Sequence, residues 1–310
     1  MATDLPLVVT VPSQELAAAL PPMPEGVEVL VWDMRSPAPR PELGIVVPPY
    51  MKQGTSLQQL RDVPTALVQG QSIGYDNVAA TLPPGNVFAN ASSVHEASTA
   101  ELAVALTLAA QRGIPGFVLA QQQGGHWSPI FAQSLADRRV LLVGFGGVGK
   151  AIAARLAPFE VELTAVATSA RVEAGVEVHP LAELQTLLPE AEIVIVSLPL
   201  SEATTRIVDD AFLSAMRPGA LLVNVGRGTL VDTDALIAHA GAGRIRAALD
   251  VTDPEPLPDG HPLWSTPGVL IAPHVGGATS AMVPRMARLI HAQAERMVGG
   301  EAPLNVVLRT

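Results

Sequence analysis

The sequence predicts an α/β fold built of parallel layers and divided into two domains. Short runs rich in Val, Ile and Leu alternate with segments of helical period, a pattern that belongs to helix-covered parallel sheets rather than to a sandwich. The chain has 310 residues, 48% of them apolar, which fills a large core and exceeds what one small domain needs. Cysteine is absent, so neither disulfides nor thiolate metal sites carry the fold or the chemistry, and no metal site is expected.

Taken in order, Leu7 to Val11, Val27 to Val31 and Ala66 to Gln69 read as buried strands because aliphatic residues run together between polar or Pro-containing breaks. Glu96 to Arg112 reads as a helix, with an acid at its start and an arginine at its end. The Gln/Gly-rich patch Gln121 to His126 reads as a surface turn. Strands then follow at Val140 to Val143, Val161 to Ala167, Ile193 to Ser197, Ala220 to Val225, Ala247 to Val251 and Val269 to Ala272. Between and after them, helices are expected at Gly147 to Ala157, Thr233 to Ala240 and Ser280 to Val298.

Charge narrows the function. With 29 acidic against 19 basic residues the net charge is −10, and only Lys52 and Lys150 are lysines, so the basic face that nucleic acid requires is missing. The N-terminal MATDLPLVVT carries an acid where a signal peptide has lysines or arginines. The longest mainly apolar run, Leu102 to Ala110, is far too short to span a bilayer. A soluble cytoplasmic protein with neither a nucleic-acid nor a membrane partner is expected.

One motif carries the first chemical hypothesis. In RVLLVGFGGVGKAIAARL a buried strand runs directly into Gly144, Gly146, Gly147, Val148 and Gly149 and then into a helical pattern. Gly144 permits the tight turn, Gly146 lets the backbone approach a pyrophosphate, and Gly149 lets the helix sit close on the strand. The phosphates then face the positive end of the helix. Such a loop also occurs for plain packing, and a nucleoside-dependent methyltransferase shares it. The strand before and the helix after favour dinucleotide binding.

An acid about 20 residues on, at the end of the second strand, would hold the adenosine ribose. In VELTAVATSARV the strand ends at Ala167 and is followed by Thr168, Ser169 and Arg171 instead. A carboxylate repels a 2′-phosphate, whereas hydroxyls and a guanidinium bind one. The missing acid therefore points to NADP(H), with NAD(H) possible; the plain alternative is a polar turn with a solvated arginine.

Three further stretches sit at strand ends, where α/β sheets place their ligands. LLVNVGRGTLVD delivers Arg227 between two glycines, where it can fork onto a carboxylate. RAALDVTDPEPL places Asp250 at a strand end and Glu255 between two prolines that stiffen its loop. VLIAPHVGGATS places His274 before a Gly-Gly turn. Alone, each has an ordinary explanation: a packed histidine, a solvated acid, a surface ion pair. Together, Arg227, Glu255 and His274 form a substrate clamp, an orienter and a proton donor.

These motifs resemble the D-isomer-specific 2-hydroxyacid dehydrogenase family. The likeness runs from about Asn90 to Ala278 and rests on Gly144 to Gly149, SLPLSEAT (Ser197 to Thr204), NVGRGTLVD (Asn224 to Asp232), ALDVTDPEPL (Ala248 to Leu257) and APHVGGAT (Ala272 to Thr279). The resemblance implies that Arg227 binds the substrate carboxylate and keto oxygen. It implies that Glu255 hydrogen-bonds His274, and that His274 is the acid/base at the carbonyl oxygen. Asp250 is implied to orient the nicotinamide carboxamide, with Thr99, Val225 and Gly226 beside the ring and Gly147 and Val148 beneath the pyrophosphate. In QSIGYDNV, Ile73 and Gly74 match the loop whose N–H groups hold the substrate carboxylate.

Departures are few. Ala272 stands where threonine is usual and Gly226 where alanine or serine is common. Ile73 replaces the lysine of the phosphite dehydrogenase branch, so phosphite is not an expected substrate. The family implies two doubly wound domains with a cleft between them: a flavodoxin-like substrate domain, 1–95 plus 281–310, and an NAD(P)-binding Rossmann domain, 96–280. A homodimer is implied by resemblance alone. The expected activity is hydride transfer between NADP(H) and a small 2-keto or D-2-hydroxy acid such as glyoxylate or hydroxypyruvate. The competing expectation is a nucleotide-sensing, co-repressor-like interaction protein of the same fold.

Overall fold

The computed structural model describes residues 6–51, 56–125 and 127–310. Lys52 and His126, the last residue of the expected polar turn, lie outside the described residues. The chain divides into two compact units, Met1–His95 with Thr279–Thr310, and Glu96–Ala278.

The first unit is a six-stranded sheet. Its strands are β1 (Leu7–Val11), β2 (Val27–Val31), β3 (Leu43–Val46), β4 (Thr65–Gln69) and β5 (Val87–Ala89), joined by the distant Val306–Arg309. The order β2-β1-β3-β4-β5 is wholly parallel, which is the flavodoxin-like doubly wound arrangement, and Val306–Arg309 adds an antiparallel edge beside β5. Alternation decides the faces: Val9 and Val11 of β1 join a core with Met286, Leu289 and Ile290 of the helix Met282–Val298, while Val8 joins Trp32, Val68 and Phe88 in a second core. Within the first core, Gln293 donates to Gln69 Oε1 at 2.7 Å, tying the helix to the end of β4.

The second unit is an eight-stranded sheet. Its strands are β6 (Arg139–Val143), β7 (Glu162–Ala167), β8 (Arg171–Glu173), β9 (Val176–Pro180), β10 (Ile193–Val196), β11 (Leu221–Asn224), β12 (Arg246–Leu249) and β13 (Val269–Ile271). The order is β13-β12-β11-β10-β6-β7-β9-β8, parallel except for β8. The chain therefore reverses its winding between β6 and β10, and the crevice outside their carboxyl ends is where such sheets take ligands. Both faces are covered. Leu142, Ile152, Ile195 and Val223 lie in one core and Val143, Val194, Leu222 and Phe212 in the other, which explains why these strands read as continuous apolar runs.

Several elements differ from the sequence expectation. Gln121 and Gln122 end a helix, Ile114–Gln122, rather than opening a turn. Arg171 belongs to an edge strand, β8, folded back on β9. The strands β3, β5 and Val306–Arg309 had no counterpart in the sequence expectation. Among the described residues no single helix is long and apolar enough to cross a membrane.

Candidate active site

The glycine loop has a separate physical reason at each glycine. Gly144 leaves β6 with φ +109°, a conformation that L side chains rarely adopt, and a Cβ there would lie 2.9 Å from the Ser197 backbone. A Cβ on Gly149 would collide with the Gly144 carbonyl, so the helix Gly147–Leu156 meets the strand end backbone to backbone. Gly147 sits against the Glu96 side chain, and Val148 follows it, half-buried. At Gly146 the backbone is not left-handed and a Cβ would meet nothing within 4 Å. Protein packing gives no reason for glycine there, whereas close approach of a pyrophosphate does. The helix also carries no side-chain N-cap, so no capping side chain occupies its first N–H groups. The loop fits a dinucleotide.

Beyond β7, Thr168 and Ser169 are exposed on the bend that leads into Arg171. Arg171 is exposed but held in place. Its Nη1 donates to Ser169 O at 3.1 Å, its Nη2 to Phe145 O at 3.3 Å and its Nε to Glu173 Oε2 at 2.8 Å, and its guanidinium carbon lies 6.0 Å from the centre of the Phe145 ring. Lys150, just past the glycine loop, donates to the other Glu173 oxygen at 3.1 Å. These two cations hold the Glu173 carboxyl below the usual carboxylate range, Arg171 more strongly than Lys150. A guanidinium and an ammonium thus share the Glu173 carboxylate beside this strand end.

The remaining expected residues of this unit converge at the ends of β11, β12 and β13. Buried Asn224 shapes the first turn: its Nδ2 donates to Arg227 O at 2.9 Å and its Oδ1 accepts from Gly226 N at 3.1 Å. Val225 is buried and donates to Val196 O. A Cβ on Gly226 would come within 2.9 Å of Leu198 O and 2.8 Å of the Leu230 side chain, which accounts for glycine in place of alanine or serine. Gly228 packs directly on the Thr252 carbonyl, so the Arg227 turn lies against the segment leading to Glu255.

His274 Nδ1 and Glu255 Oε1 are hydrogen-bonded. That bond holds His274 above the ordinary imidazole range, against burial and the charge of Arg227, both of which pull it down. His274 itself has a left-handed backbone, φ +53°, fixed by its N–H donating to Asp250 O at 2.7 Å. The buried Asp250 carboxylate accepts from Val275 N at 2.7 Å and Gly276 N at 3.0 Å, while burial pushes it above the usual carboxylate range. A Cβ on Gly276 would sit 2.7 Å from Asp250 Oδ2 and 3.4 Å from Thr99, which brings Thr99 to the same spot. Arg227, Glu255, His274, Asp250 and Thr99 are therefore neighbours.

Ile73 and Gly74 lie in the first unit, half-buried on the loop after β4. The Ser72 carbonyl accepts from Ala91 N at 2.9 Å and the Ile73 carbonyl from Asn90 Nδ2 at 2.8 Å. Among the described residues the N–H groups of Ser72, Ile73 and Gly74 find no acceptor. A row of uncommitted amides beside tied carbonyls suits an anion.

Sequence reasoning missed Lys150, Glu173, Asn224 and Asn90. Only Lys150 carried a signal, as one of two lysines and directly after the third glycine.

Comparison with known proteins bears on this arrangement. The family model for the NAD binding domain of the D-isomer specific 2-hydroxyacid dehydrogenases matches residues 104–276. A glyoxylate reductase of Pyrococcus furiosus is 32% identical over 305 residues, covering 91% of this chain and 90% of its own. A D-isomer specific 2-hydroxyacid dehydrogenase of Xanthobacter autotrophicus, solved with NADPH and MES, is 28% identical with a TM-score of 0.80 over 98% of each chain. A glyoxylate/hydroxypyruvate reductase of Sinorhizobium meliloti, described as NADPH-dependent and solved with NADP and malonate, is 26% identical with a TM-score of 0.77, covering 97% of this chain and 96% of its own.

The Glu255–His274 bond has a direct consequence. Because the folded pKa of His274 is raised, the pair's contribution to stability is fully present below the pKa of an unfolded histidine. It is lost as pH rises through the folded value. Glu255→Gln is expected to move the His274 titration to lower pH when the imidazole signals are followed by NMR. The stability difference between the two proteins should also shrink across the same window. An unmoved titration would sink the assignment of cause.

Proposed function

Since the chain belongs to the D-isomer-specific 2-hydroxyacid dehydrogenase family, we propose that it reduces a short 2-keto acid to the D-2-hydroxy acid with NADPH, NADH serving less well. The observation that carries this reading is the hydrogen-bonded Glu255–His274 pair, close enough to Arg227 for the arginine's charge to act on the imidazole. A carboxylate-supported imidazolium beside a guanidinium suits proton delivery to an oxygen whose neighbouring carboxylate is clamped.

When bound, the nicotinamide supplies the hydride. Gly144, Gly146, Gly147, Val148 and Gly149 would hold the pyrophosphate, and Thr99, Val225, Gly226 and Asp250 the nicotinamide end. Arg227 holds the substrate carboxylate and keto oxygen, with the N–H groups of Ile73 and Gly74 as further anchors. His274 protonates the forming alkoxide oxygen and removes that proton in the reverse direction. Glu255 keeps the imidazole charged, so reduction is favoured at pH values below the raised pKa of His274.

Thr168, Ser169 and Arg171 would receive the 2′-phosphate, with Lys150 adding charge. The NADPH and NADP bound by the two solved relatives agree with this preference. Glyoxylate and hydroxypyruvate are the first substrates to test, by similarity to the reductases of Pyrococcus furiosus and Sinorhizobium meliloti. A cytoplasmic homodimer completes the proposal. The helix Ile114–Gln122 buries none of its residues, and Phe117, Leu119, Trp127, Ile130 and Phe131 are exposed, an apolar surface that a second copy would cover.

Three measurements test the reading. His274→Ala should lower kcat for glyoxylate reduction roughly 10²–10⁴-fold while leaving NADPH binding intact; an active variant removes the proton donor from the scheme. Arg171→Ala should raise KM for NADPH about tenfold, the loss of one charge-assisted contact, with little change for NADH. Equal effects on both coenzymes would defeat the NADP assignment, and nucleotide binding without any turnover would favour the sensing protein instead. Sedimentation equilibrium should give a dimer at micromolar concentration, and a monomer would end that part of the proposal.

A further inference from the structure

His95 takes no part in the scheme above, yet it is 4% exposed and deeply engaged. Its Nε2 lies 2.6 Å from the carbonyl of Gln71, and its ring stacks on Tyr50 with centroids 5.8 Å apart and planes 22° apart. Gln71 is equally buried, and its side chain donates to Pro48 O at 2.8 Å. One imidazole thus joins the loop after β3, which holds Pro48 and Tyr50, to the loop after β4, which holds Gln71 to Gly74. A histidine this deeply buried and hydrogen-bonded to a backbone carbonyl has a geometric task.

Peptide planarity says what the task is. In a trans peptide the C=O of one residue and the N–H of the next point in opposite directions, so anchoring a carbonyl aims the following amide away from the anchor. Ala91 anchors the Ser72 carbonyl and so aims Ile73 N–H; Asn90 anchors the Ile73 carbonyl and so aims Gly74 N–H. His95 anchors the Gln71 carbonyl, which aims Ser72 N–H. We infer that His95 is a positioning residue that fixes Ser72 N–H as a third donor, beside those of Ile73 and Gly74, in the site for the substrate carboxylate. This rests on the proposed role of the Ile73–Gly74 loop. Without the anchor the first peptide plane can rotate, turning a carbonyl oxygen toward the anion and leaving a buried acceptor unpaired.

The side-chain chemistry supplies the test. The Nε2 of glutamine reaches about as far as His95 Nε2, whereas the Nδ2 of asparagine stops short. His95→Asn should raise KM for glyoxylate about tenfold, as expected for one buried bond lost. It should leave kcat and KM for NADPH within about twofold, since catalysis and coenzyme use other residues. His95→Gln should keep KM for glyoxylate within about threefold of wild type, a rescue that a purely packing role does not give. If His95→Asn fails to fold, His95→Gln decides alone: a tenfold rise in its KM overturns the inference. Gly74→Pro, which deletes one amide, is the control. If Gly74→Pro raises KM and His95→Asn does not, the positioning role falls while the loop assignment stands. If neither raises KM, the loop assignment falls and takes this inference with it.

Discussion

Parallel strand pairing is the constraint on which the second unit depends. Because β6, β7, β10, β11, β12 and β13 all run the same way, each hands its following residue to the same edge of the sheet. Gly144 follows β6, Thr168 follows β7, Val225 follows β11, Asp250 follows β12 and His274 comes soon after β13. Groups spread over more than a hundred residues of sequence become neighbours without long loops, and register does the gathering.

Glycines then set the spacing. At Gly149, Gly228 and Gly276 a single Cβ would strike another segment's backbone or the Asp250 carboxylate, so these loops touch at the shortest distance a chain allows. Reaction geometry tolerates errors well below an ångström, and contacts with no side chain between them have little room to drift. Asp250 adds the second lock by spending both carboxylate oxygens on Val275 and Gly276, immediately after His274.

The sequence made the second unit legible for the same reasons. Long apolar runs ending in Gly, Arg-Gly, Asp or Pro-His mark strands and strand ends together, and Glu96–Arg112 matches its expected helix residue for residue. What stayed hidden lacked a local signal. The β8–β9 hairpin turns through Ala174 and Gly175, both at positive φ, and alanine is not a residue that announces such a turn. Without that hairpin Arg171 reads only as a cation near the strand end, and its bonds to Phe145 and Glu173 cannot be foreseen. His95, Asn90 and Asn224 act on backbone carbonyls or amides, a task that many polar residues perform and no spacing encodes.

The discontinuity of the first unit shapes how the chain comes into being. Residues 96–278 are contiguous, so the second unit has all its strands once that stretch has left the ribosome. The first unit does not: Met286, Leu289 and Ile290 complete one of its two cores, and Val306–Arg309 covers the open edge of β5. At roughly 5–20 residues per second, the nearly two hundred residues between β5 and that helix impose a wait of about 10–40 s. During it β5 is an unpaired edge and the apolar face of β1, β3 and β4 is uncovered. Newly made chains pass through a stage in which the second unit has all its strands and the first still lacks one side of a core and an edge strand.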